Sequence, residues 1–363
     1  MIDISPSCKV MTDDIEPAAL AQIRTMAESP AFEGSTIRIM PDVHAGAGCV
    51  IGFTGTLTGR VVPNVVGVDI GCGIVSANLG HRPVDFAAFD AFVRDNVPSG
   101  FSIHTEAPVV TDYALIEGMH EVIDATEQIQ ERVLKSLGTL GGGNHFIELG
   151  RDEQERVWLT VHTGSRNFGL RVATWHQQKA VDTVGKQNGL EWLEGDAKRL
   201  YLQHMKIAQR YASFNRKLII IRLVEGFFRQ DVDENVESVH NYIAFDDNII
   251  RKGAIAAHAG QSVVIPWNMR DGLIIGTGLG NPEWNESAPH GAGRVMGRGQ
   301  AKRTLKVENF EESMRGIWTS CVSKDTLDEA PMVYKKAESI LAAIGDTVRV
   351  DHVVKPIYNF KAS

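Results

Sequence analysis

The chain has 363 residues, of which 43% are hydrophobic and 23% charged, proportions ordinary for a water-soluble globular protein large enough to bury a substantial core. A formal charge of −8 argues mildly against a general nucleic-acid binder, although bound cations and local arginine clusters can make a positive site on an acidic surface. Cys8, Cys49, Cys72 and Cys321 are widely spaced, and neither a secretory leader nor an apolar run of bilayer length is visible, so a cytoplasmic protein with reduced thiols and no membrane partner is expected.

In chain order, the first predicted element is a helix over Asp14–Glu28 with Pro17 near its first turn. A strand over Thr36–Met40 follows, then an apolar strand over Val65–Ile70 that leads into GVDIGCGI. Asp85 is placed to cap a helix with Phe86, Phe89 and Val93 on one face. Val122, Ile129 and Val133 have helical spacing within Glu121–Leu137, before the run GGGNHFIEL. A strand over Val157–Val161 ends in His162 and a Thr-Gly-Ser-Arg turn. The longest helical stretch lies between about Leu190 and Arg229, with a break near Ser213–Asn215. Strands are then predicted over Val263–Ile265, Leu273–Ile275 and Thr347–Val354. With no repeat or linker, this reads as one α+β domain over 1–363, with a helical insertion at 185–230 and functional turns at glycine-rich strand ends.

Asp69 and Cys72 share one tight turn, where a carboxylate and a thiolate can reach a single cation. Alone, that turn reads as a glycine bend with a buried cysteine, and each histidine alone as a structural one. Taken together, Asp69, Cys72, His145, His162 and His240 offer O, S and N ligands from four segments. The close Cys/His pairs of a structural zinc site are absent from the sequence, so a catalytic divalent cation, or two sharing the thiolate, fits better. Arg166, Arg251, Lys252, Arg294 and Arg298 stand in or beside glycine-rich turns that suit phosphate, with solvated surface charge as the alternative. The sequence APHGAGRVMGR leaves His290 open as a ligand, a nucleophile or a bystander.

The blocks MPDVHAGAG, VGVDIGCGI, GGGNHFIE, HTGSR, HNY, RKGA and HGAGR, in this order, closely resemble the RtcB-type GTP-dependent RNA ligases from about Met40 to Lys361. The resemblance implies an α+β fold around a dinuclear centre. Cys72 would bridge two Mn²⁺ ions, with Asp69 and His145 on one and His162 and His240 on the other. His290 would attack the α-phosphate of GTP to form a histidine–guanylate. Asn144, Glu148, Arg294, Tyr334 and Lys361 would contact the nucleotide, while Arg166, Arg251 and Lys252 would suit RNA or nucleotide phosphates. Asp42 and His44 match a further motif and are given only a supporting role. The reaction implied joins an RNA 3′-phosphate or 2′,3′-cyclic phosphate to a 5′-hydroxyl, in RNA repair or tRNA splicing. Two departures stand out: Trp267-Asn268-Met269 where the family usually has Gly-Ser-Met, and Met296-Gly297-Arg298 where Met-Ser-Arg is common. The alternatives are a metal-dependent phosphoesterase that opens cyclic phosphates without GTP, and a non-enzymatic RNA-binding protein with a structural metal. The sequence names neither the RNA nor an activating partner.

Overall fold

The computed structural model describes residues 1–231 and 235–362. An eight-stranded sheet forms its centre, in the order Ser262–Asn268, Gly272–Gly278, Val348–Lys361, Phe146–Arg151, Val157–Thr163, Gly73–Asn78, Asn235–Val239, with the short Trp318–Thr319 pairing alongside Val348–Lys361. A six-stranded sheet runs Ile2–Ser5, Cys8–Val10, Ile37–His44, Ile51–Thr56, Ile249–Lys252, Asn241–Ile243. Between them Ala254–Ala256 pairs with Ser287–Pro289. No helix among the described residues is long and apolar enough to cross a membrane.

Register explains why distant residues meet. Gly73 lies opposite both Thr163 and Val239, and Phe146 opposite His162. Cys72 precedes Gly73, His145 precedes Phe146 and His240 follows Val239, so all reach the same end of neighbouring strands as His162. The next strand over places Asn359 opposite Glu148 and Lys361 opposite Phe146.

The helix Gly195–Leu223 supports this sheet end from behind. Its buried stripe (Tyr201, Met205, Ala208, Ala212, Ile219, Leu223 among others) follows the helical period. The stretch from Ser213 to Asn215 does not interrupt it. Asn215 is buried and takes part in the fold through distant partners, accepting from the Gly138 and Thr139 amides and donating to the Thr139 and Gly164 carbonyls. Arg216, 1% exposed, donates to the carbonyls of Gly71 (2.6 Å) and Thr163 (3.0 Å) and pairs with Glu237. The helix therefore clamps both the Asp69–Cys72 turn and the end of the His162 strand. Gly71 (φ 67°) permits the approach, since a Cβ there would come within 2.8 Å of the Ala212 side chain.

Two predicted elements differ. Val65–Ile70 is not a strand: Pro63–Val66 forms one helical turn, the chain turns at Gly67 (φ 88°), and the strand begins at Gly73. A short apolar run is equally consistent with a buried helical turn, and Pro63 at its start favours the turn. Glu121–Leu137 is two helices, Tyr113–Ala125 and Gln130–Lys135, parted where Glu127 takes a left-handed φ of 53°. The helix Arg166–Val184 was not anticipated behind its Thr-Gly-Ser start. Asp85 does cap Phe86–Asn96, accepting from the Ala88 amide.

Candidate active site

Cys72 stands between two pairs. On one side its Sγ lies 3.5 Å from His145 Nε2, which in turn lies 2.9 Å from Asp69 Oδ2. On the other it lies 3.2 Å from His162 Nε2, which faces His240 Nε2 at 3.3 Å. All four of Cys72, His145, His162 and His240 are buried, while Asp69 is half-buried. His145 and His162 each donate Nδ1–H to a backbone carbonyl, of Leu140 (2.9 Å) and Asn144 (3.1 Å). Those bonds place a proton on each Nδ1 and aim each Nε2 toward the sulfur, as backbone carbonyls do behind metal-bound imidazoles.

Burial, reinforced by neighbouring imidazoles, holds His162 and His240 well below the ordinary histidine range, so both are neutral. Burial and then the Asp69 carboxylate push the Cys72 thiol well above its usual value. Burial alone would raise Asp69 too, but His145 beside it keeps the carboxyl below the normal range. The Nε2 atoms of His162 and His240 lie 3.3 Å apart, and the buried Nδ1 of His240 has no partner within the chain. A divalent cation satisfies this set by accepting from every donor and displacing the thiol proton.

His290 follows the strand Ser287–Pro289, and its ring lies 4.9 Å from that of His240. Its Nδ1 donates to Asp42 Oδ2 at 2.6 Å, which leaves Nε2 as the available lone pair. Asp42 is fully buried and comes from the other sheet, in the strand Ile37–His44. Gly293 (φ 74°) lets this strand and the His290 loop touch, since a Cβ there would lie 2.3 Å from the Asp42 carbonyl.

Both groups open into one cavity of about 300 Å³, whose far wall carries Asn144, Glu148, Trp267, Arg294, Tyr334 and Lys361. Glu329 organises that wall. It accepts from Tyr334 Oη (2.6 Å), Lys361 Nζ (2.9 Å), Arg298 (2.6 Å) and Arg294 (3.3 Å). Burial works against its charge, yet Lys361 and Arg298 hold its carboxyl down to about 2. Glu148 behaves oppositely: burial pushes it up to about 8 despite the Asn359 amide (2.8 Å) and Lys361. Cations gathered on a buried carboxylate, and a second carboxyl held neutral, give this wall hydrogen-bonding groups for a polar ring and for phosphate.

The family model for tRNA-splicing ligase RtcB matches residues 22–362. The chain belongs to the RtcB family. The RNA-splicing ligase RtcB of Escherichia coli K12 is 31% identical over 385 residues, covering 94% of each chain. The RNA-splicing ligase RtcB2 of E. coli ATCC 25922 is 27% identical, covering 92% of this chain and 89% of its own. The tRNA-splicing ligase RtcB of Pyrobaculum aerophilum is 24% identical, covering 84% and 83%.

For an RtcB chain, the residues singled out from sequence separate into two groups. Asp69, Cys72, His145, His162, His240, His290, Asn144, Glu148, Arg294, Tyr334 and Lys361 converge on the cavity. Arg251 and Lys252 do not. Arg251 is fully buried on Asp247, Ser287 and Tyr242, and Lys252 donates to the carbonyls of Ala47 and Asn64. Arg166, half-buried, reaches Thr139 and the Gly100 carbonyl beside the GGGN loop. Sequence reasoning missed Glu329, which lies in no glycine-rich block, and underrated Asp42, whose place in MPDVH was the available signal. Trp267, the departure from the RtcB pattern, is 4% exposed on the cavity wall with its indole N–H unpartnered.

Proposed function

We propose that this RtcB-family RNA ligase joins RNA ends through a guanylated histidine, using GTP and two Mn²⁺ ions. The observation that carries the reading is the 2.6 Å contact between His290 Nδ1 and buried Asp42. Asp42 holds the proton on Nδ1, so Nε2 meets the α-phosphate of GTP as a neutral nucleophile, and the carboxylate stabilises the charge that develops on the ring. The Nε2–phosphorus bond forms as the α–β bridging bond breaks, and pyrophosphate leaves. The guanylate then passes to an RNA 3′-phosphate. A 5′-hydroxyl attacks that activated phosphorus, the backbone is sealed and GMP leaves. A 2′,3′-cyclic phosphate end is opened by water first.

Asp69 and His145 would hold one cation and His162 and His240 the other, with Cys72 between them, in agreement with the two pairs on either side of its sulfur. Bound there, the cations supply Lewis acidity and offset phosphate charge. Arg294 and Asn144 would receive the nucleotide phosphates, with Glu148, Tyr334 and Lys361 on the base. The four cysteines are free and buried, which suits the reducing cytoplasm in which we place the reaction. A phosphoesterase acting on cyclic ends would need the cations but not a carboxylate-oriented imidazole.

The protein is incubated with Mn²⁺ and GTP labelled at the α-phosphate. Acid-labile label is expected on the wild type and none on His290→Ala. Asp42→Asn, which favours the wrong tautomer, is expected to slow labelling by up to about 10⁴-fold. Equal labelling of His290→Ala, or turnover of cyclic phosphate with no need for GTP, would overturn the proposal.

A further inference from the structure

A second groove, about 310 Å³, opens where the Gln128–Arg132 bend meets the first turns of the helix Arg166–Val184. Arg132, Asn167 and Arg171 line it and are exposed, with Glu127 as the one acidic side chain on the lining. Among the described residues neither arginine is in an ion pair, and Glu131 beside Arg132 pairs with Lys135 instead. Unpaired guanidinium groups beside a concave surface are suited to phosphate oxygens.

The groove is joined to the active site by a short stretch of chain. Gly164 is packed so closely on Asp69 that a Cβ would lie 2.1 Å from its carboxylate oxygen, and the grooved helix begins two residues later. On the other side of Arg166 stands Phe101, 98% exposed. Its position is fixed rather than trailing: the Gly100 amide donates to the Gly141 carbonyl at 2.9 Å, Ser99 bridges to Gly141, and Arg166 donates to the Gly100 carbonyl. From Gly141 the chain enters the cavity through Gly143 and Asn144. An aromatic face at the rim, followed by free guanidinium groups, is how sequence-tolerant sites hold single strands: bases stack while cations track the backbone.

We propose that this rim and groove hold the single-stranded RNA leading out of the active site, with a base stacked on Phe101 and phosphates paired to Arg132 and Arg171. The inference rests on the reading of the chain as an RNA ligase, and it adds where the strand lies. Its occupant is an RNA strand rather than a protein, because both arginines lack ion pairs among the described residues, while exposed Ile129 on the lining offers a base an apolar face.

The test is fluorescence anisotropy with a short 5′-labelled single-stranded RNA ending in a 3′-phosphate, titrated with the full chain at several salt concentrations. Phe101→Ala is expected to weaken binding about tenfold. The double variant Arg132→Ala/Arg171→Ala is expected to flatten the dependence of log affinity on log salt by about 1.4, the effect of losing two phosphate contacts on a single strand. Arg171→Lys, which keeps the charge, should retain most of the slope. Each preparation is also labelled with GTP without RNA, a step in which the groove takes no part, so intact labelling shows an intact fold. Variants that label normally yet bind RNA with wild-type affinity and salt slope would overturn the proposal. If the wild type takes no label, the guanylate reading fails while the binding titration still decides the groove.

Discussion

The two ends of the central cavity are built on opposite electrostatic plans. At the sheet end, the Nε2 atoms of His145, His162 and His240 gather around Cys72, and His145 Nε2 also faces the Asp69 carboxylate. At the far wall, four cationic or hydroxylic side chains converge on Glu329 and are already satisfied. The first end is preorganised and incomplete. The second is complete and must exchange partners before Lys361, Arg294 or Tyr334 can serve a nucleotide. On the proposed reading, cation binding would ask little movement of the protein, whereas a nucleotide would compete with an internal carboxylate.

That contrast can be broken from the far wall first. Glu329→Gln leaves buried Lys361 and its neighbours without their counter-charge, and a loss of about 3 kcal/mol in denaturant-unfolding stability is expected. A loss below about 1 kcal/mol would mean the wall is not organised by this carboxylate. At the sheet end the sign reverses. Mn²⁺ at about one hundred times its Kd should stabilise the protein by about 2.7 kcal/mol, and His162→Ala should remove most of that gain. Thermal melts with and without Mn²⁺ measure it, and an equal gain in the variant would place the cation elsewhere.

The smallest effect concerns Glu148. Its folded carboxyl is raised to about 8, so the folded state keeps a proton that the unfolded state releases in the ordinary carboxyl range. Stability therefore falls as pH rises through that window and levels off above about 8. Glu148→Gln lacks the titration and should gain on the wild type by at most about 1.4 kcal/mol between pH 6 and pH 7. Parallel pH profiles for the two would contradict a neutral Glu148.

The convergence of Asp69, Cys72, His145, His162 and His240 was legible in the sequence because these residues sit beside glycine turns at strand ends. The expected strands over Val157–Val161 and Leu273–Ile275 fall within observed strands, and Thr36–Met40 overlaps one from Ile37 onward. The rest depended on contacts no local pattern encodes. The Pro63–Val66 turn and the continuous helix through Ser213–Asn215 are decided by packing and by Asn215's partners on other segments. Glu329 has no motif, and its role exists only once Tyr334, Arg298 and Lys361 surround it. The burial of Arg251 and Lys252 was equally invisible, since an Arg-Lys pair reads the same in solvent as beneath a sheet.

Asp42 and His290 are separated by 248 positions in the chain. A contact of such separation closes a very long loop, and pairings of this kind form late because their entropy must be met before they contribute stability. His290 thus meets Asp42 only once the two sheets have come together. If the proposed reading holds, competence to consume GTP would report on the finished tertiary structure, tying activity to folding without any separate regulator.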